Sequence, residues 1–423
     1  MTSKIETSPH KKRPEVEPGS SIYRSEIIFK SNKETEFNFE TMTRPFSFED
    51  TKYLQQEIKR FSEFNCSQGI NSDGYYIYLT RGSFPEPTGS RKIQETLTKE
   101  GEKAYDDFLL SVHNDWQSSF ADGIFEFSTG SEVREFYKKN PHIHESSAAS
   151  YQSRLKGSHN THFLYISSYK YGYKSGHEHN RPKTEIRFYL NPPINDAPAL
   201  AQEFIDIAKD QNIPYHFKMV DSAVDPASRT SSAFVDRLDR MVFYTEFTNA
   251  PRIANIFKII REKHPEWFKE RPLPLMVAKI MDGVGIGHQP LETLHKSRPS
   301  FNRLRAAFFE LVLQKILLDM IVNKSDLKVG NSEKSLRQIF DDLVPREVDN
   351  RPYIIDNIQK INEMKPDEAS VVYNTLEKMM FKVIPDLETN ILFNLLKKEI
   401  EKHAPKFGID PDNIAFNKKT TAQ

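Results

Sequence analysis

Between Ser146 and Thr248 apolar residues recur at every second position in short runs, a spacing that belongs to strands and points this stretch toward a sheet. His162 to Tyr169, Thr184 to Leu190, Tyr215 to Val220 and Arg240 to Phe247 read as strands, with one helix at Ala197 to Asp210. Successive strand side chains point to opposite faces. Tyr215, Phe217 and Met219 therefore share a core face, and His216, Lys218 and Val220 share the other. In the preceding strand Ile186, Phe188 and Leu190 turn inward while Glu185, Arg187 and Tyr189 turn away; in the last, Arg240, Val242 and Tyr244 oppose Met241 and Phe243. Three strands thus place ionisable or phenolic groups on one side. Taken alone, Lys218 is a solvated surface residue, because lysine is mostly exposed; the alternative is a group presented to a binding site.

The flanks are dominated by helical spacing. Ser47-Phe48-Glu49-Asp50 has the form of a capping box and opens a helix through Phe61. A short strand, Tyr75 to Leu79, follows the Asp73-Gly74 turn signal, Pro85 to Arg91 form a loop, and Gln94 to Trp116 reads as a second helix. From Ala250 onward helices are expected at Arg252 to Lys263, Ser300 to Val322, Glu333 to Leu343, Tyr353 to Met364 and Asp367 to His403, the last interrupted by Pro385. The expected architecture is α+β: a central, mostly antiparallel twisted sheet flanked by helices, with a largely helical C-terminal region. Its divisions are a disordered tail at 1–21, a mixed α/β region at 22–145, a core at 146–325, a helical region at 326–408 and a tail at 409–423.

Composition removes several classes of function. Lysine plus arginine and aspartate plus glutamate each number 59, so the formal charge is zero and there is no overall pull toward nucleic acid or an anionic membrane. Recognition of phosphate then has to come from a local cluster. The single cysteine, Cys66, excludes an internal disulfide framework and a four-cysteine zinc site, as is usual in a reducing compartment. The longest apolar stretch, Ala306 to Val322, is broken by Glu310, Gln314, Lys315 and Asp319 and falls short of the roughly 18 apolar residues of a membrane span, so a soluble, cytoplasmic protein is expected. Met1 to Ser21 mixes Ser, Thr, Pro, Lys and Glu without an apolar core, the composition of a floppy tail rather than a cleaved Sec signal. It also suits an unfolded type III secretion signal, with a secretion chaperone as its partner.

Five blocks stand in order: Arg-Phe-Tyr-Leu-Asn-Pro from Arg187, Phe-Lys-Met-Val-Asp from Phe217, Arg-Leu-Asp-Arg-Met-Val-Phe-Tyr from Arg237, Gly-Val-Gly-Ile-Gly-His-Gln-Pro from Gly283 and Ser-Phe-Asn-Arg-Leu-Arg from Ser300. In this order they resemble the HopA-type family, which includes plant-pathogen type III effectors and the lyase component of class V lanthipeptide biosynthesis. The resemblance covers about residues 146 to 325. More distantly the block order is similar to the SpvC/OspF phosphothreonine lyases, which remove phosphate from phosphothreonine by β-elimination. The resemblance implies that Lys218 holds the position of the base and Arg187 that of the first lysine in a Lys-x-His strand, with Tyr189 where that strand has its acidic histidine. It further implies a role for Tyr244, which matches a tyrosine closing the lyase strand, and for Arg298 with Arg305, which repeat the seven-residue spacing of a late arginine pair. Arg229 or Arg237 matches the arginine that follows the base. His216, on the same strand face as Lys218, completes the catalytic candidates.

The chemistry such a family performs suits these residue types. β-Elimination needs a base on the Cα proton and an acid or cation on the leaving phosphate, and it calls for neither water nor a cofactor or metal. A lysine acts as that base only when neutral, so its pKa has to fall from about 10.4 to roughly 7 to 8, about 3 to 4 kcal/mol of differential stabilisation. Arginines beside Lys218 disfavour its protonated form, and their forked donors match phosphate oxygens as charge builds on the leaving group. With tyrosine in place of histidine, Tyr189 is an acid, a hydrogen-bond donor or a mark of lost activity.

Other motifs have plainer readings. His142 with His144, His159 with His162, and His177 with His179 have neither the helix nor the cysteine partners that make such spacings specific for zinc, so surface or loop histidines are expected; His177 and His179 remain alternatives for the acid. Gly283 to Gly287 has neither a P-loop lysine nor a dinucleotide fingerprint and reads as a tight connection entering the Ser300 helix. The expected function is a phosphothreonine or phosphoserine lyase acting on a phosphorylated peptide or protein, as a secreted effector or a peptide-maturation lyase. The alternative is an inactive effector or phosphopeptide-binding module on the same fold.

Overall fold

In the computed structural model, which describes residues 44–64, 72–82, 84, 97–120, 127–139, 149–153, 162–168, 184–220, 237–290, 300–328, 334–343 and 358–418, the alternating runs pair edge to edge. Seven strands form one sheet: β1 (Ala149–Ser153), β2 (His162–Ser167), β3 (Ile186–Leu190), β4 (His216–Val220), β5 (Met241–Thr245), β6 (Ala278–Met281) and β7 (Val284–His288). Their spatial order is β1-β2-β4-β5-β3-β7-β6 and every pairing is antiparallel. A two-stranded ribbon, β8 (Ile409–Asp410) with β9 (Asn413–Asn417), lies against β7.

Among the described residues ten α-helices accompany the strands. In chain order they are α1 (Phe48–Phe64), α2 (Ser72–Arg81), α3 (Lys99–Phe120), α4 (Gly130–Lys139), α5 (Ala197–Asp210), α6 (Ala250–Lys263), α7 (Phe301–Asn323), α8 (Leu336–Leu343), α9 (Pro366–Val383) and α10 (Thr389–His403). Both α5 and α6 open with Ala-Pro, proline being tolerated in a first turn where its missing N–H has no partner to lose. Their apolar faces cover one side of the sheet. There Phe204 lies 4.5 Å from Phe243 and 5.3 Å from Phe257, and Phe217 stacks on Phe243 at 4.6 Å, centroid to centroid. Each such fully buried ring contributes about 1.5 to 3 kcal/mol from area alone.

The opposite face is the one that carries Arg187, Tyr189, Lys218, Val242 and Tyr244. Tyr189 and Val242 join a second core with α2 and α7, which α1, α8, α9 and α10 surround. Residues Phe37–Lys419 form one unit. Among the described residues no helix is long and apolar enough to cross a membrane.

The expected α+β arrangement is the observed one, and its strands lie within a residue or two of their expected bounds. The Ser47 box also forms: the Asp50 N–H donates to Ser47 Oγ at 3.1 Å, and the Ser47 N–H donates back to Asp50 Oδ2 at 2.8 Å. Three expectations are corrected. Tyr75 to Leu79 is part of helix α2, with Tyr75, Tyr78 and Leu79 buried on one helical face; a five-residue apolar run fits either period, and packing on α7 decides. The stretch after Ala250 is not all helical, since β6, β7, β8 and β9 lie in it. The glycines at 283–287 do not lead into the Ser300 helix: Gly283, at φ +71°, turns the β6–β7 hairpin, and the rest is strand β7. The tail at 1–21, the loop at 85–91 and residues 353–357 lie outside the described residues.

Candidate active site

The register places the charged groups in two rows across the sheet. Lys218 of β4 pairs with Val242 of β5, and Val242 pairs with Tyr189 of β3, so Lys218 and Tyr189 stand in one row with a single strand between them. At the usual strand spacing their Cα atoms are about 10 Å apart. In the adjacent row Arg187 pairs with Tyr244, and its guanidinium carbon lies 5.1 Å from the centre of the Tyr244 ring. The same ring meets His216, 5.2 Å away between centroids. Lys218, Arg187 and Tyr244 are half-buried, whereas His216 is buried.

From Lys218 a ladder of cations and rings runs toward the start of α7. The Lys218 ammonium lies 4.0 Å from the centre of the Phe163 ring, and the Arg237 guanidinium lies 5.1 Å from the same centre. Arg237 and Arg303 then share Tyr76, at 6.0 and 5.7 Å. Each contact of this kind is worth about 0.5 to 2 kcal/mol and holds the cation in place. Arg237 is buried and bound through two bonds to Asp239, 2.7 and 2.8 Å, with Asn302 of α7 reaching the same carboxylate at 3.4 Å. Burial works against its charge, but the Asp239 carboxylate and then the Tyr76 phenol more than offset this and raise its pKa.

Arg303 is not among the residues that the family resemblance marks. It is exposed, three residues beyond the N-cap Ser300, whose hydroxyl accepts the Arg303 N–H at 3.3 Å. Its signal in the sequence is its place in the Ser300 block, two positions before Arg305. Those two positions turn the side chain to another side of the helix. Arg305 is fully buried, and its guanidinium donates to the carbonyls of Ile414 at 2.8 Å and Phe416 at 3.3 Å. Burial lowers its pKa to about 9, opposed only by Tyr189. The structure thus ties Arg305 to the C-terminal ribbon, and its expected partner in the arginine pair, Arg298, lies outside the described residues.

Tyr189 is also more enclosed than a proton donor to substrate needs to be. It is 1 % exposed and lies under Phe301, whose ring centroid is 5.6 Å away. Phe301 reaches that position because Gly287 has no side chain: a Cβ there would stand 2.8 Å from the Phe301 ring. Burial raises the phenol pKa well beyond its usual value, although the Arg187 guanidinium pulls the other way. Arg229 and Arg298 lie outside the described residues, as do His142, His144, His159, His177 and His179, and nothing is described of the His162 side chain. Among the described residues no group of three or more His, Cys, Asp or Glu side chains is placed to hold a metal ion.

No family model matches the chain, and no curated protein matches it. Among solved structures, the effector protein from Pseudomonas syringae pv. tomato strain DC3000 aligns with a TM-score of 0.40 and 11 % identity over 88 % of this chain and 99 % of that one. The effector protein from Pseudomonas syringae pv. syringae strain 61 gives a TM-score of 0.39 and 12 % identity over 88 % of this chain and all of that one. Likeness at this level transfers no role to this chain.

Proposed function

We propose that this protein is a phosphothreonine or phosphoserine lyase that removes phosphate by β-elimination, with the HopA-type resemblance of about residues 146 to 325 as its sequence basis. The observation that carries the reading is the placement of Lys218 on the face that also holds Arg187, at the head of a run of cations ending in the exposed Arg303. In this reading the Lys218 amine takes the Cα proton, the Cα–H electron pair becomes the new Cα–Cβ double bond, and the Cβ–O bond breaks toward the phosphate. Arg187 and Arg303 donate to the phosphate oxygens as their charge grows. Arg237, locked to Asp239, holds its positive charge close to the base through the shared Phe163 ring. The leaving group departs as an arginine-bound anion, and Tyr189 serves as part of the wall. An effector acting on a phosphoprotein, or a lyase maturing a phosphorylated precursor peptide, both use this chemistry.

The enclosure of Tyr189 also favours a second reading, in which the same face binds a phosphopeptide without reacting. Incubation with a phosphothreonine peptide separates the two by product mass. Loss of phosphoric acid, abolished in Lys218→Ala, is the expected result. Retention of the full peptide mass with binding intact supports the binding module, and a product carrying a free hydroxyl identifies a phosphatase and overturns both readings.

A further inference from the structure

Arg187 of β3, on the same sheet face as Lys218, is tied to the far end of the chain. Arg187 Nε donates to Gln289 Oε1, so one edge of the guanidinium is already used while its carbon lies 5.1 Å from the centre of the Tyr244 ring. Gln289 is itself fixed from two sides. Its N–H donates to Glu185 O at 2.8 Å, and its carbonyl accepts from Asn417 Nδ2 at 2.7 Å. Asn417 ends β9, and its own N–H donates to His288 Nδ1 at 3.2 Å. The ring of His288 is packed against Phe416 at 4.3 Å and Phe247 at 5.1 Å, and burial, with Arg305 second, lowers its pKa to about 3, which leaves it neutral and able to accept. Arg305 then holds β9 through Ile414 and Phe416. A continuous set of hydrogen bonds therefore runs from the buried arginine of α7, through the C-terminal strand, to the guanidinium on the candidate site.

An arginine anchored at Nε and held over a ring has its two terminal nitrogens restricted in orientation, the arrangement that suits forked donation to a phosphate. We propose that Gln289, itself held by the C-terminal strand through Asn417, is a positioning residue that orients Arg187 toward a phosphate monoester of the substrate. This rests on the phosphate-binding reading of Arg187 given above. It assigns a function to a segment, residues 413–417, that lies beyond the region of family resemblance and was expected to be a tail.

The test is calorimetric titration of the full chain with a phosphothreonine peptide, for wild type, Arg187→Ala, Gln289→Met, Asn417→Ala and the Arg187→Ala/Gln289→Met double variant, each with its thermal midpoint. Gln289→Met keeps length and removes the acceptor. It should weaken binding about tenfold, the loss of one charge-assisted hydrogen bond's worth of order. The double variant should bind no more weakly than Arg187→Ala, because Gln289 acts only through Arg187. Asn417→Ala should shift affinity the same way by a smaller factor, and it carries the test if Gln289→Met does not fold. Wild-type affinity for Gln289→Met, or a loss that adds in full to that of Arg187→Ala, overturns the inference and leaves the phosphate reading standing. A wild type that binds no phosphothreonine peptide, or an Arg187→Ala variant that binds as wild type does, overturns the phosphate reading and the inference with it.

Discussion

Two arginines on the first turns of one helix have opposite surroundings. Arg303 reaches the solvent beside Tyr76, whereas Arg305 is enclosed and bonded to two carbonyls. Replacing Arg303 by alanine should therefore weaken phosphopeptide binding about tenfold or more, as for a lost charged hydrogen bond, while costing only about 0.5 to 1 kcal/mol of stability, the worth of an exposed cation–ring contact. Replacing Arg305 by methionine should do the reverse. It removes a costly buried charge but strands the carbonyls of Ile414 and Phe416, and the balance is a loss of about 2 kcal/mol. Titration and urea denaturation of both variants check the pair of outcomes. If Arg305→Met loses binding while keeping its denaturation midpoint, the assignment of the two arginines is reversed.

At the scale of elements, what was legible in the sequence follows from how strongly each segment is patterned. β3, β4 and β5 alternate without interruption because one face meets the phenylalanines of α5 and α6, so Arg187, Tyr189, Lys218 and Tyr244 were placed on a common face correctly. β7 was missed because Gly285 and Gly287 stand where alternating side chains would have signalled a strand. Their absence of side chain is what lets Val277 and Phe301 lie down on the sheet, a tertiary requirement that no local pattern displays. The burial of Tyr189 followed from the same contact and was equally hidden. Arg303 and Arg305 differ only by helical phase, which the bounds of α7 fix and composition does not. Gly287→Ala places a methyl 2.8 Å from the Phe301 ring. It should cost about 1 to 3 kcal/mol through overpacking, measured by urea denaturation. An unchanged midpoint would mean that α7 does not rest on β7 as described.

The molecule as a whole joins its sheet to its helical region through α7, and the join contains a titrating pair. Glu310 of α7 and Glu377 of α9 share a hydrogen bond between carboxyl groups; burial first, and the Glu310 charge second, push Glu377 up to about 7, and burial raises Glu310 too. A carboxyl with a raised folded pKa holds its proton more tightly folded than unfolded. Its contribution is complete below the unfolded value near 4.5 and is lost as pH rises through about 7. Glu377→Gln should then be more stable than wild type at about pH 8, by on the order of 1 kcal/mol after solvent screening, and equal to it at about pH 4. Denaturation at the two pH values reads the difference, and parallel behaviour of the two proteins would show that the carboxyls do not meet.

In the proposed reaction Lys218 removes a proton from Cα while a phosphate leaves Cβ, on a face whose arginines take up the developing charge. The most direct measurement uses a phosphothreonine peptide carrying deuterium at Cα and follows peptide mass and free phosphate together. Wild type should release phosphate and lose the deuterium in equal amounts, leaving a peptide with a new double bond, and Lys218→Met should do neither while still binding the peptide. Phosphate released with the deuterium retained, or elimination that continues in Lys218→Met, would contradict this mechanism.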